Sequence, residues 1–107
     1  MERFVDVHSR AAFAADKMKK NNLFTTDHLF CDVYCFEPGQ QQAGHRHADA
    51  DKIYFVLEGA GRIQVGDEER DVTAGTAVLA PQGQSHQVLN TGKVRLKLLV
   101  FMAPKPS

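Results

Sequence analysis

The chain has 107 residues, of which 43% are hydrophobic and 24% charged, and 13 basic side chains balance 13 acidic ones to a formal net charge of zero. That length and balance fit one soluble domain spanning residues 1–107 and exclude a second, a basic surface for nucleic acid and a polybasic patch for a membrane. No apolar stretch approaches the roughly 20 residues that cross a bilayer, and the opening MERFVDVHSR lacks the basic and apolar regions of a signal peptide, so a cytoplasmic location is expected.

In chain order, residues 4–7 read as a short edge strand. Ser9 is placed to cap a helix over 10–18, rich in alanine, which Lys17, Lys19 and Lys20 would end where cations suit the negative pole of the helix dipole. Asn21 and Asn22 break that pattern, and from Leu23 the chain reads as all-β. Residues 29–36 are apolar on both faces and carry the two cysteines, Cys31 and Cys35. Four residues along a strand separate these by about 13 Å. A disulfide needs Cα atoms within about 7 Å, so both are expected as buried free thiols. Glu37, Pro38 and Gly39 form a turn before the approach to His47. The next strand, 52–58, places Ile53, Phe55 and Leu57 on one face and Lys52, Tyr54, Val56 and Glu58 on the other. Both faces call for burial, one of them under the N-terminal segment or against a second copy. A hairpin over 62–72 turns at 66–69, a strand covers 76–80, and the loop 81–85 presents His86. Strands over 86–89 and 94–101 complete the series before a proline-containing tail. Short strands about ten residues apart, punctuated by glycine, indicate an antiparallel sandwich or barrel.

Chemistry concentrates in two stretches. GQQQAGHRHADADKIYFVLEG, residues 39–59, holds His45 and His47 one residue apart. On a strand both rings would point the same way, about 6–7 Å apart along the backbone. GTAVLAPQGQSHQVLN, residues 75–90, supplies His86 as a third ligand. Three neutral imidazoles suit one divalent transition metal, whether Fe, Mn, Ni, Cu, Co or Zn. His8 and His28 stand outside both stretches and read as surface or structural residues.

The two stretches resemble the paired motifs of the small single-domain cupins. Gly39, His45, His47 and Gly59 fit the first motif, and Gly75, Pro81, Gly83, His86 and Asn90 fit the second. The resemblance implies a double-stranded β-helix or jelly-roll barrel with its core over about 29–102, preceded by a short N-terminal helical segment. It also implies a metal held by His45, His47 and His86, and a homodimer. The departure is Lys52, a cation where the family places a glutamate ligand; neighbouring Asp51 is a further candidate ligand if the turn before it is shortened. Lys52 and Tyr54 share a face and are the candidates for orienting an anionic group, with Phe36, Gln42, Leu89, Leu98 and Phe101 as wall residues. The functions in view are a metal-dependent enzyme acting on a small polar or anionic molecule, by dioxygenase or by isomerase or lyase chemistry, and a non-catalytic binding or sensor barrel. A purely structural barrel is the third.

Overall fold

The computed structural model describes residues 2–46 and 48–105. One short helix, α1 (Val7–Arg10), precedes nine strands: β1 (Lys19–Thr25), β2 (Phe30–Phe36), β3 (Gln41–His45), β4 (Asp51–Glu58), β5 (Ala60–Val65), β6 (Glu68–Thr73), β7 (Ala77–Ala80), β8 (His86–Leu89) and β9 (Leu96–Ala103). They build a five-stranded sheet in the order β1-β2-β9-β4-β7 and a four-stranded sheet in the order β3-β8-β5-β6, with antiparallel pairing throughout. This is a nearly all-β jelly-roll architecture. Among the described residues no helix is long and apolar enough to cross a membrane.

Alternation along the strands explains the core. On β4, Lys52, Tyr54 and Val56 are buried, while Asp51 and Ile53 are exposed. The same period on β2 and β9 turns Tyr34, Phe36, Leu96, Leu98 and Val100 inward, where they meet Ile63, Val72 and Val88 of the opposite sheet. A second cluster lies on the outer face of the larger sheet. There Leu23, Cys31, Val33 and Cys35 are covered by Val5, Val7, Ala11 and Phe13. Both cysteines are buried free thiols, as their spacing requires.

That cover corrects the helix expected over 10–18. The helix is a single turn, Val7–Arg10, capped by Asp6, whose carboxylate accepts from the His8 N–H, and Ala11 is already extended. Val7 covers the sheet from the helical turn, and Ala11 and Phe13, two apart beyond it, share one face as in an extended segment. Asn21 holds it down by donating to the carbonyls of Ala12 (3.0 Å) and Val33 (3.3 Å). Packing therefore overrides the alanine-rich propensity, and Lys19 to Asn22, expected as a helix end, pair with β2 as strand. Residues 4–6 form no strand. The hairpin turn is also tighter than expected, with Val65 opposite Glu68 and Gly66 at φ +60°.

Two residues fix the chain at the strand ends. Gly59 sits at φ +86°, and a Cβ there would lie 2.3 Å from the Arg95 carbonyl oxygen. Asn90, buried, donates to the carbonyls of Phe36 (3.1 Å) and Val94 (2.9 Å) and accepts from the Gly92 N–H (3.0 Å). It thus ties β2, β8 and the start of β9 together.

Candidate functional site

The site is organised by an irregularity in β3. Gln42 pairs with Val88 of β8, but the next aligned pair is His45 with His86, one residue out of a regular antiparallel register. This extra residue is a bulge, which resets the alternation of faces. Gln42 and His45, three apart in sequence, consequently both turn inward. Their imidazole rings bring His45 and His86 to a centroid distance of 4.4 Å, with the two Nε2 atoms 3.2 Å apart. Each ring is held from behind through Nδ1, 3.0 Å from the Ala43 carbonyl oxygen for His45 and 3.2 Å from the Gln84 carbonyl oxygen for His86. Those carbonyls favour the Nδ1–H tautomer, which leaves the Nε2 lone pairs facing each other.

Two lone pairs so close repel unless a proton or a cation lies between them. Ligand nitrogens about 2.0–2.1 Å from one ion stand about 2.9–3.4 Å apart for coordination angles from square to tetrahedral. The observed 3.2 Å falls in that range. Burial lowers the pKa of His45, opposed by its Ala43 contact and assisted by the cations of Lys52 and Lys20, which favours the neutral form that a metal ligand needs. The donor pair therefore fits a transition metal. Among the described residues no group of three or more His, Cys, Asp and Glu is gathered for a metal. His47, the expected third ligand, lies outside the described residues.

Lys52 occupies the barrel interior at 1% exposure. Its Nζ lies 4.9 Å from the Tyr34 ring centroid and 5.0 Å from that of Tyr54, a double cation–π contact. Burial, assisted by the Lys20 cation and partly opposed by Asp32, pulls its pKa down to about 7. Lys20 approaches the Tyr34 ring at 5.3 Å. Asp32, 7% exposed, accepts from Asn22 Nδ2 at 2.8 Å; burial raises its pKa against that bond and the two lysines. Tyr54 donates its hydroxyl to Gln42 Oε1 at 2.9 Å, and its ring lies 6.0 Å from that of His86. Burial raises the pKa of both Tyr54 and Tyr34, so both keep their protons. Gln42, 6% exposed, turns its Nε2 to the Tyr34 hydroxyl, but that amide makes no hydrogen bond of normal geometry among the described residues.

Asp51 is not brought to this site. β4 is already regular at its first residue, with Asp51 opposite Ala103 and Lys52 opposite Met102, so the two side chains take opposite faces. The Asp51 carboxylate is exposed and accepts from the Gln82 N–H at 2.9 Å, anchoring the loop before His86. Phe101 likewise lies outside the barrel at 39% exposure, whereas Phe36 and Leu98 are core. His8 and His28 are exposed. The polar cluster of Lys20, Asn22 and Asp32 was not anticipated. Its one legible signal was an aspartate inside the apolar run of β2.

Residues 32–102 match the cupin-domain family. This chain belongs to the cupins. In structure it is similar to the protein TT1209 of Thermus thermophilus, with 37% identity, a TM-score of 0.93, and coverage of 96% of this chain and 98% of that one. A Klebsiella pneumoniae protein described as having a double-stranded β-helix domain superposes at TM-score 0.91 with 22% identity, over 97% of this chain and 91% of its own, and shares the fold. In sequence the chain is 31% identical over 65 residues to a Thermotoga maritima protein named oxalate-binding protein, covering 61% of this chain and 54% of that one. The chain spans about half the length of several curated relatives it matches.

Proposed function

We propose that this cupin holds one divalent transition metal per chain through His45, His47 and His86 and acts as a metal-dependent enzyme on a small anionic molecule, by oxygenase or by isomerase or lyase chemistry. The observation that carries the reading is the facing pair of Nε2 atoms at 3.2 Å, each ring held through Nδ1 by a backbone carbonyl. The chemistry supplied by a bound metal is Lewis-acid polarisation of a ligand oxygen, joined by one-electron chemistry where it is iron or copper. The chain's own residues do the rest. Lys52 attracts the anionic group from the interior face of β4. Tyr54, its hydroxyl oriented by Gln42, stands beside His86 as a hydrogen-bonding partner. Val56, Leu98 and Val100 keep the interior apolar and strengthen each of those contacts. The name of the Thermotoga relative supports a small carboxylate as the ligand class.

Two copies pair, in this reading, through the outer face of β7, β4 and β9. There Leu79 (55% exposed) lies opposite Ile53 (41%), and Ile53 opposite Phe101 (39%), beyond the cover of the N-terminal segment. A cytoplasmic site agrees with two buried thiols too far apart along β2 to bridge.

A second reading, a non-catalytic sensor or binding barrel, is favoured by Lys52 itself. It puts a cation where the family's glutamate ligand stands, and no carboxylate accompanies His45 and His86 among the described residues. Elemental analysis of protein purified without chelators, beside His45→Ala, His47→Ala and His86→Ala, tests the metal site. One transition metal per chain in the parent, lost in every variant, supports it; a metal-free parent that takes up none of the six ions on soaking refutes it. Turnover of a small carboxylate by the loaded protein, by oxygen uptake or product analysis, separates the enzyme from the sensor.

A further inference from the structure

A groove of about 440 Å³ opens on the side of the barrel, lined by Lys17, Met18, Lys19, Lys20, Gln41, Gln42 and Ala43. It lies where the edge of one sheet, β1, passes the edge of the other, β3. We infer that this groove binds a small carboxylate, independently of any metal at the histidines.

Three features lead there. The charge at the groove is one-signed: Lys17, Lys19 and Lys20 line it, and among the described residues none of them has a carboxylate within ion-pair distance. The nearest acid toward the interior, Asp32, has its carboxylate engaged by Asn22. The second feature is the amide of Gln42. Its Oε1 is taken by the Tyr54 hydroxyl at 2.9 Å, which fixes the amide's orientation, and its buried Nε2, beside the Tyr34 hydroxyl, makes no hydrogen bond of normal geometry among the described residues. A buried N–H group left without an acceptor is rare and costs free energy. An oxygen arriving through the groove satisfies it. The third feature is chemical selectivity. The polar side chains lining the groove are three ammonium groups and the amides of Gln41 and Gln42, so donors dominate and cations are repelled. A carboxylate can place one oxygen on the Gln42 Nε2 and turn its charge toward Lys20, whose Nζ stands over the Tyr34 ring. Met18, packed against the core, supplies an apolar wall for a short carbon chain.

The proposal does not depend on the metal reading, and the test keeps the two apart. Succinate is titrated into chelator-stripped, dialysed wild-type protein at low ionic strength by calorimetry, with neutral succinamide as control. Saturable succinate binding is expected, unchanged in His86→Ala, weakened at least tenfold in Lys20→Met and about fivefold in Gln42→Leu, with none for succinamide. Lys20 is exposed, so its variant reads out even if the buried Gln42 variant folds poorly. Absence of succinate binding up to about 10 mM overturns the inference. So does equal affinity in Lys20→Met, loss of binding in His86→Ala, or phosphate binding as tightly as succinate.

Discussion

Replacing Lys52 with methionine, a side chain of similar length without charge, should stabilise the metal-free protein at neutral pH, and the gain should shrink as the pH rises. In the unfolded chain the amine titrates near 10.5, and in the folded barrel near 7. A lysine whose folded pKa lies below its unfolded value destabilises the fold. The cost is full below about pH 7 and vanishes as the pH rises through 10.5. At 1.36 kcal/mol per pH unit, the gap between 10.5 and about 7 corresponds to about 4–5 kcal/mol at low pH. About 4 kcal/mol of it persists at pH 7 and about 2 kcal/mol at pH 9. Urea unfolding of both proteins in chelator, from pH 6 to 9.5, measures the difference, to which His45 and Asp32 also contribute because both feel the Lys52 charge. Wild-type stability should climb towards that of Lys52→Met by about 2 kcal/mol between pH 7 and 9. Parallel pH profiles would mean that Lys52 keeps an ordinary pKa and would sink the picture of a buried amine only partly compensated by Asp32.

Four further outcomes follow from particular contacts. Asn90→Ala should cost about 2–4 kcal/mol in urea unfolding, because it strips partners from three backbone groups around a buried position. Gly59→Ala should cost at least about 2 kcal/mol by the same measurement, since the left-handed backbone is disfavoured for alanine and the Arg95 carbonyl must move; a neutral result would contradict the turn. Asp51→Asn should leave the metal content unchanged while His86→Ala abolishes it, and metal loss in the aspartate variant would bring Asp51 into the coordination set. Cys31 and Cys35, both buried and with thiol pKa values raised chiefly by burial, should react with a thiol reagent only after denaturant is added; rapid labelling of the native protein would show the N-terminal cover to be open.

Much of the molecule was legible in the residues alone. Glycine-punctuated strands of period two announced an all-β barrel, because alternation and turn chemistry are local. The face shared by Lys52, Tyr54 and Val56 was read correctly and those side chains are buried, whereas Glu58, expected on the same face, is exposed beyond the register shift after Val56. The spacings around His45, His47 and His86 pointed to the family, the structure brings His45 against His86, and the distance along β2 between the cysteines excluded a bridge. Other features depended on contacts between distant segments. The alanine-rich stretch after Ser9 favours a helix by itself, yet it is not helical beyond Arg10 because Ala11 and Phe13 gain more by joining Val5 and Val7 over the outer sheet. Asp51 and Lys52 are neighbours of opposite charge, and the pairing of β4 with β9 from its first residue sends one outward and buries the other. The bulge that turns both Gln42 and His45 inward exists only in the pairing of β3 with β8. The sequence by itself determined which residues are able to carry chemistry. Tertiary structure decided which of them meet, because register and bulges arise between strands and are written in neither strand alone.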